Sequence, residues 1–455
     1  MVAQGSYTAR FVDAVLSSVG GYSDSAEADC RACLLDYTGV AVAGAHQLGD
    51  KLARYTAQCA GKGSSPVVGL GVKADPFTAA LLNGLSAHYL ELDDGHRIGM
   101  LHPSVPVFSA LIAIAEREQL SDEGFFMGVL AGYEATVRLA CAVQPDHKLR
   151  GFHASATCGT VGAAAAVAVA RQYDRQTLID AVSAAATSAS GLLEMITGDS
   201  QLKPYNCAQA AVNGLMAANV ALAGFQGPSD ALGGSRGFVR ALNGELDERR
   251  FDEALAMPDC LGTIYRKAYA SCRHTHSPVE AALRLRERGD IDGTTIEAVA
   301  VRTYELAVFG HNESVVASAS AAKMSTPYSV AVALLYGEAG LEAYSECRLK
   351  DPAVAELAAK VSVVPDDELT RLCPGKRVAE LRVSLVDGRS VCERVDYPKG
   401  EPENPLTRSE LEGKFEGLVR SAGWDAGKAS AAIRLIMESP QVLPGYYRLI
   451  QGLEV

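Results

Sequence analysis

The chain has no block of lysines and arginines, no uninterrupted apolar run of bilayer length and no regular cysteine spacing, and each absence removes a class of function. Its 42 Lys and Arg stand against 54 Asp and Glu, a formal net charge of -12. Such a balance repels a phosphate backbone or an anionic lipid surface, so neither nucleic acid nor membrane is expected as a partner. Apolar stretches such as Gly159–Ala170 are built of Ala, Gly and Val and fall short of the roughly 20 residues that cross a bilayer, so they read as buried helices. The opening residues, MVAQGSYTARFVDAV, show no basic segment leading into an apolar run; no secretory signal is read there and a cytoplasmic setting is expected. The eleven cysteines are scattered, without the spacing of a disulfide framework or a zinc ribbon, which fits a reducing compartment. Cys30 and Cys33 form a C-x-x-C, but AEADCRACLLDYTGVAVAG has helical apolar spacing, and both are expected to pack as small hydrophobes. The glycine pairs in GLGVK and GGSRG lack the strand-to-helix context of a G-x-G-x-x-G nucleotide loop, and neither a Walker sequence nor a G-x-S-x-G serine elbow is read in the chain. There is no fixed-period repeat.

What is present is ample apolar material, 48% hydrophobic against 21% charged, enough for a globular protein of more than one core. Residues 1–265 run through Ala-rich helical patterns such as SALIAIAERE, GTVGAAAAVAVARQY and AQAAVNGLMAANVALAGF, which predict a tightly packed all-helical domain. From 266 to 400 strand-like runs appear, TIEAVAVRTY, KVSVVPD and VAELRVSLVDGRSVCERVDY, the last with an Asp387-Gly388 turn. HSPVEAALRLRERG and STPYSVAVALLYG add helices, predicting a smaller α+β domain. Residues 401–455 return to charged amphipathic helix that packs back on the first domain. The fold class is therefore mostly α, a large all-α domain plus a smaller α+β domain.

Five segments carry chemistry. In HYLELDDGHRIGMLHPS the groups Glu91, Asp93, Asp94, His96, Arg97 and His102 crowd between apolar runs; a capped interhelical loop with Pro103 opening a helix is the plainer reading. These side chains lack H-x-x-x-H helical spacing, so no metal is expected, although Asp94, His96 and His102 would be its ligands. In KLRGFHASATCGT, His153 precedes a helix start able to hold an anion, or simply caps it. Lys203 stands directly before Pro204 and a small-residue helix, where a surface lysine is the alternative. IYRKAYASCRHTHSP gathers Arg266, Lys267, Tyr269, Cys272, Arg273, His274 and His276 at the predicted domain junction, cationic company suited to a polycarboxylate, or a solvated basic loop. Tyr328 leads a buried-looking helix as a possible acid or base, or as packing.

Taken in order, D-D-x-H…H-P-S, G-F-H, the lysine before a small-residue helix, K-x-Y-x-x-C…H and S-x-P-Y resemble the MmgE/PrpD family over nearly the whole chain, with GPSDALGGSRGF between them. The resemblance implies a helical domain, an α+β lid domain, a homodimer and an active site in the cleft between the domains. Its motifs fall on Glu91, Gly95, His102, His153, Lys203, Lys267, Cys272 and Tyr328. His102, His153, Lys203, Lys267, Cys272 and Tyr328 are expected to be catalytic, and Glu91, Asp94, Gly95, His96, Arg273 and His276 to bind substrate. Three positions depart from the family's decarboxylases: Glu91 replaces aspartate, Gly95 replaces threonine and Cys272 replaces histidine. Tyr205, Asn206 and Cys207 replace a commoner stretch with histidine and glycine. The function implied is cofactor-free removal of a proton alpha to a carboxylate in a small di- or tricarboxylate. A 2-methylcitrate dehydratase-like hydro-lyase comes first, an iminodisuccinate epimerase-like enzyme next, then a cis-aconitate-type decarboxylase, or a carboxylate-binding protein without turnover.

Overall fold

Small residues decide how closely the helices of the N-terminal half can pack. In the computed structural model, residues 5–59, 61–197, 200–289, 291 and 295–452 are described. They fall into two units: one takes the chain up to Tyr89, Asp93–Ile264 and the chain from Thr407 onward, and the other takes Leu90–Leu92 and Tyr265–Leu406.

The first unit is helical. Its main elements are α1 (Tyr7–Gly20), α2 (Asp24–Cys59), α3 (Pro76–Tyr89), α4 (Ser104–Ala115), α5 (Asp122–Val143), α6 (Ala154–Ala170), α7 (Arg175–Ser188) and α8 (Lys203–Leu222). Side-chain oxygens close the first turns: Ser6 Oγ accepts from Ala9 N, Ser121 Oγ from Gly124 N, and Asp174 Oδ1 from Thr177 N. Helices α5, α6 and α8 pack in succession, and α3 lies against α2 and α8. Glycine makes two of these approaches possible. A Cβ at Gly132 of α5 would lie 2.7 and 2.8 Å from the Val107 methyls and 2.9 Å from Ala166 Cβ, and one at Gly84 of α3 would lie 2.6 Å from Ala208 Cα. Cys30 and Cys33 are buried within α2, as their apolar spacing predicts. Helix α5 is long and apolar enough to cross a membrane, a length the sequence reading did not credit to any segment, but 94% of its most apolar window is buried inside the protein. It is the core helix around which the unit packs.

The helices Arg408–Ser421, Ala426–Glu438 and Leu443–Ile450 complete this unit. Lys414 Nζ pairs with Asp36 Oδ1 at 2.6 Å, Arg31 donates to the carbonyls of Ile436 and Ser439, and Asp122 accepts from Leu443 N. The unit also holds a small antiparallel hairpin, β1 (Ser65–Val67) and β2 (Val72–Ala74), where an all-helical domain was expected. Gly69 and Gly71, both at positive φ, turn its chain. GGSRG, which has the letters of a serine elbow, lies in turns with no strand before it and with Ser235 exposed.

The second unit carries a four-stranded sheet of β3 (Ile296–Thr303), β4 (Val361–Pro365), β5 (Ala379–Leu385) and β6 (Ser390–Val395) in the order β4-β3-β5-β6. β3 and β4 are parallel, and the other two pairings are antiparallel. Burial alternates along β5, so one face is covered. Helix α9 (His276–Glu287) packs on β5 and β6, and α10 (Thr326–Tyr336) packs on α9 and β4. The Asp387-Gly388 turn closes β5 onto β6: Leu385 N donates to Arg389 O at 2.9 Å, and Gly388 takes a φ of 85°.

The close approach at Gly132 predicts opposite outcomes for one substitution at two helical sites. Gly132→Ala should lower stability by about 1–3 kcal/mol despite alanine's better helix propensity. Gly413→Ala, in Arg408–Ser421 with nothing within 4 Å of its Cβ, should raise it by about 0.5–1 kcal/mol. Urea unfolding of the two variants measures both.

Candidate active site

The loop after α3 folds back on itself through one carboxylate. Asp93 Oδ2 lies 2.7 Å from His88 Nδ1 and 3.2 Å from His102 Nδ1, and the two rings sit 4.9 Å apart, edge to face. His102 Nδ1 is also 2.6 Å from the backbone carbonyl of Asp94. Both acceptors demand an N–H, which fixes the tautomer and leaves the lone pair of the neutral ring on Nε2. His88 and Asp93 are fully buried, while the His102 side chain keeps 12% of its surface exposed. Burial by itself would lower the His88 imidazole, but the Asp93 carboxylate and Cys207 outweigh it and push it up to about 10.

Two helix starts are tied to this loop, and a third helix reaches His88 through Cys207. Asp94 Oδ1 accepts from Ser104 N at the start of α4, and its Oδ2 accepts from the Tyr133 hydroxyl at 2.6 Å. Burial pushes the Asp94 carboxyl up to about 7, against those donors and with help from the charges of Asp36 and Asp93. His102 N donates to Ser155 Oγ at the start of α6, directly after His153, whose carbonyl opens that helix by accepting from Ala156 N and Thr157 N. Lys203 begins α8, half-buried and one helical turn before Cys207, so it shares the face that meets His88. His102, His153 and Lys203 are thus on elements that meet in the first unit. Asp94 and His96, expected to bind substrate, have internal partners: Asp94 caps α4, and His96 Nδ1 accepts from Gly99 N beside Cys141 Sγ. Gly95 is buried between them.

The second unit holds the other expected residues. Lys267 is completely buried; its Nζ donates to the Glu91 carbonyl at 2.8 Å and reaches Glu91 Oε2 at 3.3 Å. Glu91 adopts a φ of 57°, the left-handed region that disfavours side chains, and Lys267 grips it by backbone and carboxylate together. Arg273 and His276, expected to bind substrate, are instead committed to the unit's interior. Arg273 pairs with Glu401 at 2.8 Å and lies over the Tyr265 ring, and His276 uses Nδ1 on Arg273 and Nε2 on the Ser271 carbonyl. Burial first, then the charges of Arg273, Lys267 and Arg377, drives the His276 imidazole far below its ordinary value. Tyr328 is buried, with its hydroxyl donating to the Ala343 carbonyl at 2.9 Å, which makes packing the better account of it. Cys272 is half-buried, and its Sγ lies 3.8 Å from His311 Nε2.

The MmgE/PrpD N-terminal domain description matches residues 9–249, and the MmgE/PrpD C-terminal domain description matches residues 269–438. The chain belongs to the MmgE/PrpD family. Among its MmgE/PrpD relatives is a cis-aconitate decarboxylase of Aspergillus terreus (strain NIH 2624 / FGSC A1156), 28% identical over 382 residues covering 79% of this chain and 78% of the relative. The cis-aconitate decarboxylase of Homo sapiens is 26% identical over 370 residues, 78% of this chain and 75% of its own length. That of Mus musculus is 25% identical over 402 residues, 84% and 80%. Family members of this kind are enzymes acting on carboxylates.

Two partners in these clusters were not singled out from the sequence. His88 ends an apolar helix five residues before Asp93, and that spacing from a buried acid was the available signal. His311 stands alone in FGHNE, far from Cys272 along the chain, and only the fold brings them together.

The His88–Asp93 pair makes stability depend on pH with a defined sign. An unfolded histidine titrates near about pH 6.5. His88 holds its proton to about 10 when folded, so its stabilisation is complete below the unfolded value and is lost as pH rises through the folded one. Urea unfolding between about pH 6.5 and 10 should show stability falling with rising pH, and the slope should flatten in both His88→Gln and Asp93→Asn.

Proposed function

We propose that this chain is a lyase of small di- or tricarboxylates that moves a proton at the carbon beside a carboxylate, with His102 as the group that takes it. The observation that carries the reading is the fixed tautomer of His102. Its Nδ1–H is held by Asp94 O and Asp93, so Nε2 bears the lone pair, and the Asp93 carboxylate offsets the charge the ring acquires with the proton. In the step proposed, the alpha C–H bond breaks, its proton goes to His102 Nε2, and its electron pair moves onto the carboxylate as an enediolate. Lys203 and the amide groups at the starts of α6 and α8 stabilise that charge. A hydroxyl on the neighbouring carbon then leaves as water, taking a proton from His153. Lys267 is assigned the role of holding Glu91 in its strained conformation.

The hydro-lyase reading, of the 2-methylcitrate dehydratase type, comes first because Gly95 and Cys272 stand where the family's decarboxylases carry threonine and histidine. Decarboxylation is the second reading, and the names of the relatives favour it. There the bond to a carboxylate breaks, CO₂ leaves with the electron pair remaining on carbon, and that carbon takes a proton from the acid. Incubation with 2-methylcitrate, citrate, cis-aconitate and iminodisuccinate, followed by chromatography of the acids and measurement of CO₂, separates them. Water elimination from one acid, reduced about 10²–10⁴-fold in His102→Asn, is expected. CO₂ from cis-aconitate would replace the first reading with the second, and binding without product would replace both with a carboxylate-binding protein.

A homodimer is proposed as well. Tyr205, Met216 and Val220 leave an exposed apolar strip along α8, a surface a second copy would cover. Sedimentation velocity should give a dimer for the native chain and a monomer for Met216→Asp/Val220→Asp; a monomeric native chain contradicts it.

A further inference from the structure

Asp94, in the first unit, makes hydrogen bonds in three directions. Its Oδ1 accepts from Ser104 N at 3.1 Å, which ties it to the start of α4. Its Oδ2 accepts from the Tyr133 hydroxyl at 2.6 Å, which ties it to the middle of α5. Its carbonyl lies 2.6 Å from His102 Nδ1, closer than Asp93 Oδ2 at 3.2 Å. The direction of the Asp94 carbonyl therefore does more than the Asp93 carboxylate to set the plane and the tautomer of the His102 ring.

Tyr133 is fully buried, and its ring packs edge to face on Phe108 at 6.1 Å. A phenylalanine would fill that space equally well. The hydroxyl is what needs an account, because a buried hydroxyl is costly unless it is bonded. Burial first, then the Asp94 charge and Cys33, drives the phenol far above its ordinary value, so it keeps its proton and donates. We propose that Tyr133 is a positioning residue for His102: its hydroxyl holds the Asp94 side chain, and with it the carbonyl that keeps the ring proton on Nδ1 and the lone pair on Nε2. The role rests on the proposed chemistry of His102 and deepens it, because it names a side chain outside the loop that keeps the base in its working tautomer.

The shape of the loop explains why such a support matters. Between Asp94 and His102 the chain reverses, with His96 N donating to Leu101 O at 2.9 Å and Met100 at a φ of 51°. The far side of this reversal is pinned where His102 N donates to Ser155 Oγ at 3.0 Å. The near side is held through the Asp94 carboxylate, with Ser104 N on one oxygen and Tyr133 on the other, so the group cannot turn about its own axis. Asp36 and Asp93 set negative charge toward that carboxylate, and the Tyr133 hydroxyl is a donor that opposes their repulsion. Without it, Asp94 keeps its cap on α4 but its second oxygen is released.

Nitrogen-15 NMR of the chain labelled in its histidine rings, at about pH 8 where an ordinary imidazole is neutral, reads the tautomer without any substrate. His102→Asn identifies the His102 signals by their loss. The native chain should show Nδ1–H with Nε2 unprotonated. In Tyr133→Phe the two nitrogen shifts should move toward each other as the tautomers mix, and kcat for alpha-proton transfer should fall about 10–10²-fold with KM little changed. Tyr446→Phe, which removes a buried hydroxyl bonded to Thr38 at 2.9 Å, is the control and should move neither. Should Tyr133→Phe not fold, Asp94→Asn takes away the charge that the hydroxyl answers and carries the same two readouts. A native Nδ1–H tautomer that stays unchanged in a folded Tyr133→Phe overturns the positioning role and leaves the His102 reading standing. An Nε2–H tautomer in the native chain overturns both. Turnover that survives His102→Asn overturns the reading of His102 as the base, and the spectra still decide whether Tyr133 orients the ring.

Discussion

Asp93 is 1% exposed, and its carboxylate faces His88 Nδ1 at 2.7 Å and His102 Nδ1 at 3.2 Å. A carboxylate taken this far from water is tolerable only beside a cation and several donors, because its lost hydration is worth several kcal/mol. His88, held protonated well above its ordinary range, supplies the cation. That allows the second imidazole, His102, to share the same oxygen while remaining the partly exposed member of the set. The rest of the first unit serves this arrangement. Helix α3 brings His88 to its last turn, Asp94 draws the start of α4 against the loop, and Ser155 ties His102 to the start of α6. Small residues at Gly84 and Ala208 bring α3 and α8 close enough for Cys207 to reach His88.

The second unit solves a related problem differently. Its buried charges are closed on one another: Arg273 with Glu401 and His276, Lys267 with Glu91. Breaking such a pair leaves a naked charge in the interior, so these groups shape the unit and are costly to redirect toward a ligand. Cys272 is half-buried, and its Sγ lies 3.8 Å from His311 Nε2.

Much of the architecture was legible because it rests on local rules. Alanine-rich 3.6-residue periodicity marked the helices, β-branched alternation marked β3, β5 and β6, and Asp387-Gly388 marked a turn that needs a left-handed residue. The β1–β2 hairpin was missed because three-residue strands carry too short a pattern to compete with the helices on either side. The ordered motifs led to the family. A run of cationic residues looks the same in sequence whether it faces a ligand or is paired internally, as Arg273 is with Glu401, 128 residues away. His311 was invisible for the same reason: its significance lies in a contact with Cys272, 39 residues distant.

The central claim is proton transfer at a carbon beside a carboxylate, with His102 oriented by Asp93. Proton NMR in D₂O of the purified chain with citrate, 2-methylcitrate, cis-aconitate, iminodisuccinate and malate tests it most directly, by following solvent deuterium into the alpha position. The account predicts deuterium incorporation or elimination with at least one of these acids, lost in His102→Asn and strongly slowed in Asp93→Asn while both variants stay folded. Incorporation that proceeds unchanged in a folded His102→Asn would contradict it.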